Sequence, residues 1–550
     1  MSWLWAHLIV LPILLPLVTA AVLLLLRERR RRLESILNLA ATLAGLIGAV
    51  ALLRRVNHGS GDPSVYLAAN WQAPFGIVLI ADRLSALLLV LVGVVGLCAA
   101  LYAEASWARA SAHFRPLFQI QLMGVNGAFL TGDLFNLFVF FEVTLAASYG
   151  LQLHGSGWPR VRSGLHYIAV NLLASSLFLI GLSVLYGVLG TLSMADIAQK
   201  IALVPERDRG LLHAGASILA LAFLIKAAIW PLNAWLVPAY SSASAPVAAL
   251  FTPMTKLGVY TLLRSWTLFF SSDAGPSAHF GGSALLYAGL ATLLFGTLGL
   301  LGSVSAGRIA SFSILVSSGT LLAAIAVGAS PVTSAALFYL LSATLGGSAL
   351  FLLVELLERT GSNGRPRLRD VDLLPGEDTN LDDQELPLVA RSFPISTALL
   401  GLMFMTSAVL VAGLPPLSGF LAKFSILTSL LSMDRAEASG AAMAPATWLL
   451  LALLLLSSLA TTVSLSRAGI RRFWLASGRF VPRLQRLEAA SVLVLLSACV
   501  ALTLWAEPVL RYTTAAAEDL YAPRRYIDTV LSAQAAPEPA SATLQPERSP

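Results

Sequence analysis

The sequence predicts an all-α integral membrane protein of about fourteen transmembrane helices, with the seventh and twelfth helices discontinuous. Three observations carry that prediction. Of 550 residues, 57% are hydrophobic and only 12% charged, against about 25% charged in a soluble globular protein. Apolar runs recur along nearly the whole chain, most of them longer than the roughly 17–20 residues that a bilayer requires. Lysine and arginine are divided very unequally between the loops joining those runs.

The runs fall at 3–26, 34–53, 77–102, 115–130, 134–153, 164–190, 211–236, 244–270, 284–305, 308–328, 332–358, 394–430, 447–466 and 488–510. The first is longer than a signal-peptide core and has its basic cluster after it, so it reads as a retained helix. The tenth and eleventh nearly abut at a Ser330-Pro331 turn. Fourteen spans make the loops alternate sides. The set that begins with Arg27–Arg32 holds 21 Lys plus Arg, whereas the opposite set, without the C-terminal tail, holds six. The basic side is then cytoplasmic, and both termini are expected on the outer side. Soluble parts are small: a charged loop at 359–393 and an Ala/Pro/Glu tail at 515–550 that is expected to be disordered.

The net charge of +7 comes from arginines in short loops. These read as topology signals, so no nucleic-acid partner is expected. Cys98 and Cys499 lie inside apolar runs and cannot by themselves hold an iron–sulfur cluster or a zinc ion. No nucleotide or haem motif is present, no cofactor is expected, and a metal site is not legible.

Four ionisable side chains stand at membrane depth, where by default such a group marks a site. Glu142 lies in "TGDLFNLFVFFEVTLAASYGLQLHG", nine residues beyond Asp133, or about 13 Å deeper at ~1.5 Å per residue. Phe138, Phe140, Phe141 and Val143 offer it no local partner, so a cation from another helix is expected. Lys226 lies in "LAFLIKAAIWPLNAWLVPAY", five residues before Pro231, which removes a backbone donor. A Glu142–Lys226 pair would take up or release a proton as its partner's charge changes. Lys256 lies in "SSASAPVAALFTPMTKLGVYTLLR", too deep to reach either surface. Pro246 suits the helix start; Pro253 disrupts the helix, with Thr252 and Thr255 placed to satisfy freed backbone. Lys423 lies in "VLVAGLPPLSGFLAKFSILTSLL", where Gly413, Pro415, Pro416 and Gly419 rule out an uninterrupted helix, so it is expected to repeat the Lys226 arrangement. Broken helices in matching positions of two halves point to an inverted-repeat transporter.

Secondary candidates are Asp82, His166 and Asp133. Asp82 and Arg83 flank the third span and could pair with each other. His166 opens the sixth, with Tyr167, Asn171, Ser175 and Ser176 behind it, and could pass a proton near neutral pH. Ser342, Gly346 and Gly347 suit close helix packing.

Together these segments resemble the proton-channel subunits shared by respiratory complex I, membrane-bound hydrogenases and Mrp-type cation/proton antiporters, over about residues 5–510. The most specific pieces are "NLFVFFEVTLAASYGL", "KAAIWPLNAWLVPAYSSASAPVAALFTPMTKLGVYTLLR" and "GLPPLSGFLAKFSIL". "NLLASSLFLIGLSVLYGVLGTLSMADIA" and "LFYLLSATLGGSALFLLVE" look most like the D-type subunits of the Mrp (Pha, Mnh) branch. The resemblance implies two inverted repeats of five helices, at 115–283 and 284–470. A three-helix segment (1–114) precedes them; a last helix (471–514) and the tail (515–550) follow. It implies that Glu142, Lys226, Lys256 and Lys423 are the glutamate of the fifth helix and the lysines of the seventh, eighth and twelfth. A lysine at 423 fits the D-type or complex I N-like subunits and not the M-like one.

Two departures stand out. Complex I relatives commonly carry histidine and lysine where this chain has Ser342 and Gly346–Ser348, and many relatives keep a lysine where it has His166. The connecting relay is therefore expected to run through water and hydroxyls. The function implied is a proton-translocating subunit of a multi-subunit sodium (or other monovalent cation)/proton antiporter in a bacterial inner membrane, with A, B, C, E, F and G-type subunits and the lipid bilayer as partners. The alternative is a proton-pumping membrane subunit of an NADH:quinone oxidoreductase or membrane-bound hydrogenase, its redox chemistry supplied by partners.

Overall fold

Inside a bilayer the backbone must satisfy its own polar groups, which long apolar runs do by forming helices. The computed structural model describes residues 7–26, 30–58, 62–106, 113–155, 157–362, 395–436, 445–473 and 484–534. Among these are nineteen α-helices and one β-hairpin. Helices α1 (Leu11–Leu25) and α2 (Arg31–His58) precede strands β1 (Ser64–Leu67) and β2 (Val78–Ala81), paired antiparallel with Val65 opposite Ile80. There follow α3 (Arg83–Ser106), α4 (Phe114–Leu130), α5 (Leu134–Gln152), α6 (Trp158–Leu189) and the short α7 (Met194–Ile201). The middle of the chain forms α8 (Glu206–Lys226), α9 (Leu236–Ser242), α10 (Ala245–Phe269), α11 (Gly282–Gly302), α12 (Ala306–Ala326) and α13 (Ser330–Ser362). The last third forms α14 (Ile395–Ala412), α15 (Ser418–Ala436), α16 (Pro445–Phe473), α17 (Arg486–Leu504), α18 (Ala506–Tyr521) and α19 (Pro523–Leu531).

Most apolar runs read from the sequence lie on one helix; the third starts on β2, the seventh runs from α8 through the break to the start of α9, and the twelfth lies on the pair α14/α15. Among the described residues, eleven helices are long and apolar enough to cross a membrane, and α1 and most of α15 are shorter apolar helices. The helix bearing Lys256, α10, is not among the eleven. It is instead enclosed by protein, with every residue but Trp266 and Thr267 buried. Helices α12 and α13 are nearly as deep, and both pack on α10. The perimeter is apolar and exposed, as along Leu165, Leu172, Leu179 and Tyr186 of α6. That distribution is what lipid contact outside and a polar core inside require.

Two sequence expectations change. The third apolar run begins as a strand: Val78–Ala81 is fully buried in the hairpin, and helix starts only at Arg83. The tail expected to be disordered from residue 515 is helical to Leu531. Val509, Leu510, Thr513, Ala516, Ala517 and Leu520 recur at helical spacing, so α18 presents a stripe to α13 and α3. Arg83 and Asp519 (2.6 Å) and the hydroxyls of Thr333 and Tyr521 (3.0 Å) fasten it there. The charged loop, apart from residues 359–362 that finish α13, and the tail from residue 535 lie outside the described residues.

Candidate functional site

Helix α5 starts on Asp133, whose carboxylate caps the Asn136 amide (2.8 Å). Asp133 is thus a helix cap. Burial raises its pKa, while the Asn136 and Phe135 amides oppose that rise. Glu142, deeper on the same helix, accepts a hydrogen bond from the Ser175 hydroxyl of α6. Among the described residues no ion pair joins it to Lys226. The expected direct pairing is therefore replaced by a hydroxyl contact. The Lys226 ammonium is buried without a hydrogen-bond partner and stands over the Phe141 ring, 5.4 Å from its centroid. That ring belongs to Glu142's neighbour in sequence, so carboxylate and ammonium flank one stretch of α5. The aromatic face offers the cation some stabilisation.

Lys226 ends α8, and residues 227–235 are broken backbone. Pro231 forces the break, and Ala228 sits at φ 55° within it. The exposed backbone finds specific partners, as burial demands. The Trp235 indole donates to the Ile225 carbonyl (3.1 Å), and the Trp230 amide donates to Thr292 Oγ1 (2.8 Å). Helix α10 lies directly on the break. A Cβ on Gly258 would come within 2.6 Å of the Ala227 nitrogen, so only glycine allows that approach. Gly258 is two residues from Lys256 and Ala227 is next to Lys226, which sets the two lysine-bearing segments together.

Lys256 is 1% exposed and donates to two hydroxyls of α12, Ser317 (2.6 Å) and Ser318 (3.2 Å). Pro253 deprives the Ala249 carbonyl of its helical donor. Ser348 of α13 supplies one instead, at 3.0 Å. Thr252 and Thr255 bond back to the Ala248 and Thr252 carbonyls, as expected of hydroxyls beside a helix-breaking proline.

Ser317 also lines a cavity of about 20 Å³, which reaches Lys423 past Ser313, Tyr339, Ser342 and Thr461. That is room for a water. Lys256's hydroxyl partner and Lys423 thus border one polar space. Lys423 donates to Ser458 Oγ of α16 (2.8 Å) and to the Ala412 carbonyl that ends α14 (3.1 Å). Gly413, at φ 75°, makes room for it: a Cβ there would meet Lys423 Cδ at 2.8 Å. The two breaks differ in one respect from expectation. Lys226 precedes its break and Lys423 follows its own.

The secondary candidates do not join this line. His166 is exposed on α6. It lies nine residues from Ser175, about 180° round the helix, so it faces away from Glu142. Asp82 pairs with Arg264 of α10, and Arg83 pairs with Asp519, so neither pairs with the other. Sequence reasoning missed Ser317, Ser318, Ser458 and Arg264. Hydroxyls in apolar helices are common, and only the fold shows which ones face an amine.

Residues 131–449 match the family described as NADH:quinone oxidoreductase/Mrp antiporter, transmembrane. The D-type subunit of a probable K(+)/H(+) antiporter from Rhizobium meliloti is 49% identical, over 96% of this chain and 98% of its own. The D-type subunit of the Na(+)/H(+) antiporter from Bacillus subtilis is 34% identical, over 95% and 99%. Among solved structures, a chain of the Mrp complex from Dietzia sp. superposes with a TM-score of 0.79 at 28% identity, covering 96% of this chain and 99% of its own.

Proposed function

The chain belongs to the NADH:quinone oxidoreductase/Mrp antiporter membrane family, and on that footing we propose that it moves protons through a buried glutamate–lysine relay. It is a proton-translocating subunit of a multi-subunit monovalent cation/proton antiporter, and other antiporter subunits are its partners. The relatives' names divide between potassium and sodium, so the cation class is monovalent. Over nearly their full length, the relatives named above are antiporter subunits, which favours this reading over a redox-linked pump.

In the relay, Glu142 and Lys226 form the first station, Lys256 the middle and Lys423 the last. One observation carries it: Ser317, the hydroxyl that binds Lys256, lines the same water-sized cavity as Lys423. A proton arriving near Lys226 shifts the balance of charge felt at Lys256 across a low-dielectric interior. Lys256 can pass a proton to Ser317 and onward through hydroxyls and water to Lys423. Lys256 and Lys423 each donate to a hydroxyl, that of Ser317 and that of Ser458, and a hydroxyl can both accept and donate, which a hopping proton requires. Fourteen spans, in two inverted repeats at 115–283 and 284–470, fit the paired broken helices α8/α9 and α14/α15. The arginine-rich loops would face the cytoplasm of a bacterial inner membrane, with both termini outside. Subunits of the A, B, C, E, F and G types would complete the complex.

The test is cation-dependent proton flux in vesicles containing the whole complex, with and without this chain. Loss of exchange without it is expected, as is inactivity of the chain alone. Undiminished exchange by a complex lacking the chain would refute the assignment.

A further inference from the structure

Helix α10 carries Lys256, Tyr260 and Arg264 four residues apart, stacked on one face. The helix begins beside Arg160, which donates to the Ser242 carbonyl, and its far half reaches Asp82 just after β2. Arg264 lies about 12 Å beyond Lys256 in that direction. This far half is not apolar. Thr261 is buried, and the Ser265 hydroxyl is buried without a hydrogen-bond partner. Thr261 and Ser265 lie on the other side of the helix from Lys256, so on its own face the polar stripe beyond Lys256 consists of Tyr260 and Arg264, in the direction a proton must not escape if it is to reach Lys423.

At the end of that stripe the guanidinium of Arg264 is held on every side. It pairs with Asp82 at the start of α3. It lies 5.3 Å from the Tyr526 ring centroid of α19 and 5.8 Å from that of Tyr260. The other Asp82 oxygen accepts the Ser85 amide (2.9 Å), and the Tyr260 hydroxyl donates to the Phe129 carbonyl (2.9 Å). We propose that Arg264, clamped by Asp82 and roofed by Tyr526, is a proton barrier that closes the far end of α10. A proton on Lys256 then leaves only sideways, through Ser317 toward Lys423.

The chemistry is that of a donor-only group. A hopping proton needs an acceptor at every station, and guanidinium has five N–H donors, no acceptor and a permanent charge. A hydrogen-bonded wire ends where it meets such a group. Asp82 supplies no onward donor, because an ionised carboxylate has no proton to give and its oxygens already accept from Arg264 and from the Ser85 amide. Its charge also makes burying the guanidinium tolerable, since an unpaired buried cation is strongly destabilising. The C-terminal α19, through Tyr526, covers the pair.

This inference rests on Lys256 being a proton station, and its test needs no cation turnover. The whole complex is placed in liposomes with a trapped pH dye, with choline replacing all metal cations. An acid jump is applied with tetraphenylphosphonium carrying compensating charge. The paired variant Asp82→Asn/Arg264→Gln removes both charges together and leaves amides able to bond each other. Arg264→His is a second variant that keeps a partner for Asp82 but adds an acceptor nitrogen. Each is expected to leak protons about tenfold faster than the wild type, the factor that ~1.4 kcal/mol carries. Adding Lys256→Ala is expected to restore the tight state. Leak in both variants within about twofold of wild type, ~0.4 kcal/mol on the same scale, would overturn the barrier. So would leak that persists without Lys256. Failure of the relay itself would show separately, as antiport surviving Lys256→Ala alone.

Discussion

Lys423 reaches back across the break that precedes it and donates to the carbonyl of Ala412, the last residue of α14, at 3.1 Å. One side chain therefore joins the two halves of a discontinuous helix and occupies the end of the polar cavity. A hydrogen bond from a charged donor is roughly twice as strong as one between neutral groups. The charge state of Lys423 and the integrity of the break are thus tied to one bond.

Replacing Lys423 by methionine keeps the volume and removes the donor. The Ala412 carbonyl and Ser458 lose a charge-assisted partner, a loss of about 1.5–3 kcal/mol. A lower unfolding temperature in detergent and loss of cation-driven proton flux are expected together. Flux without the temperature shift, or both unchanged, would show that the cap is not important.

Ala343→Val tests the cavity between Ser317 and Lys423. Two added carbons nearly fill a space of about 20 Å³ that Ala343 lines, leaving too little for a water. Antiport is expected to fall about tenfold, the effect of ~1.4 kcal/mol on a barrier, with assembly judged by copurification unchanged. Full activity would mean that protons bypass this space.

Glu142→Gln keeps a partner for the Ser175 hydroxyl and removes only the charge. Because no ion pair joins Glu142 to Lys226 among the described residues, assembly should survive while exchange is lost. Ser175→Ala, by contrast, should reduce exchange only modestly, an uncharged hydrogen bond being worth about 1 kcal/mol. If Ser175→Ala were as damaging as Glu142→Gln, the hydroxyl and not the charge would be the functional element.

Gly258→Ala places a methyl 2.6 Å from the Ala227 nitrogen, and backbone cannot yield as a side chain can. Overpacking of this kind costs about 1–3 kcal/mol. A lowered unfolding temperature is expected, with exchange impaired because the Lys226 and Lys256 segments are pushed apart. Unchanged stability would place the contact outside the tightly packed core.

The four ionisable residues and both breaks were legible because each violates the apolar pattern around it. At the depth read from the sequence, Glu142, Lys226, Lys256 and Lys423 are costly enough that each is a site hypothesis by default. Pairing was less legible. Arg264 reads as the end of an apolar run, and its partner Asp82 is 182 residues away. Ser175 was visible as a polar residue behind His166, yet only helical phase shows that it faces Glu142 while His166 faces away. Helix α18 was hidden by alanine-rich composition, although its stripe from Val509 to Leu520 follows a helical period. Ser342, where the sequence suggests a hydroxyl in the connecting path, lines the cavity beside Lys423; nothing in the sequence singles out Ser317, the partner of Lys256.

The most direct measurement is cation-driven proton flux by the complete complex carrying Lys256→Ala, after copurification shows normal assembly. The expected result is flux below about a tenth of wild type, corresponding to loss of at least ~1.4 kcal/mol of barrier lowering. Flux within about twofold of wild type, ~0.4 kcal/mol on that scale, would contradict a relay that passes from Lys226 through Lys256 to Lys423.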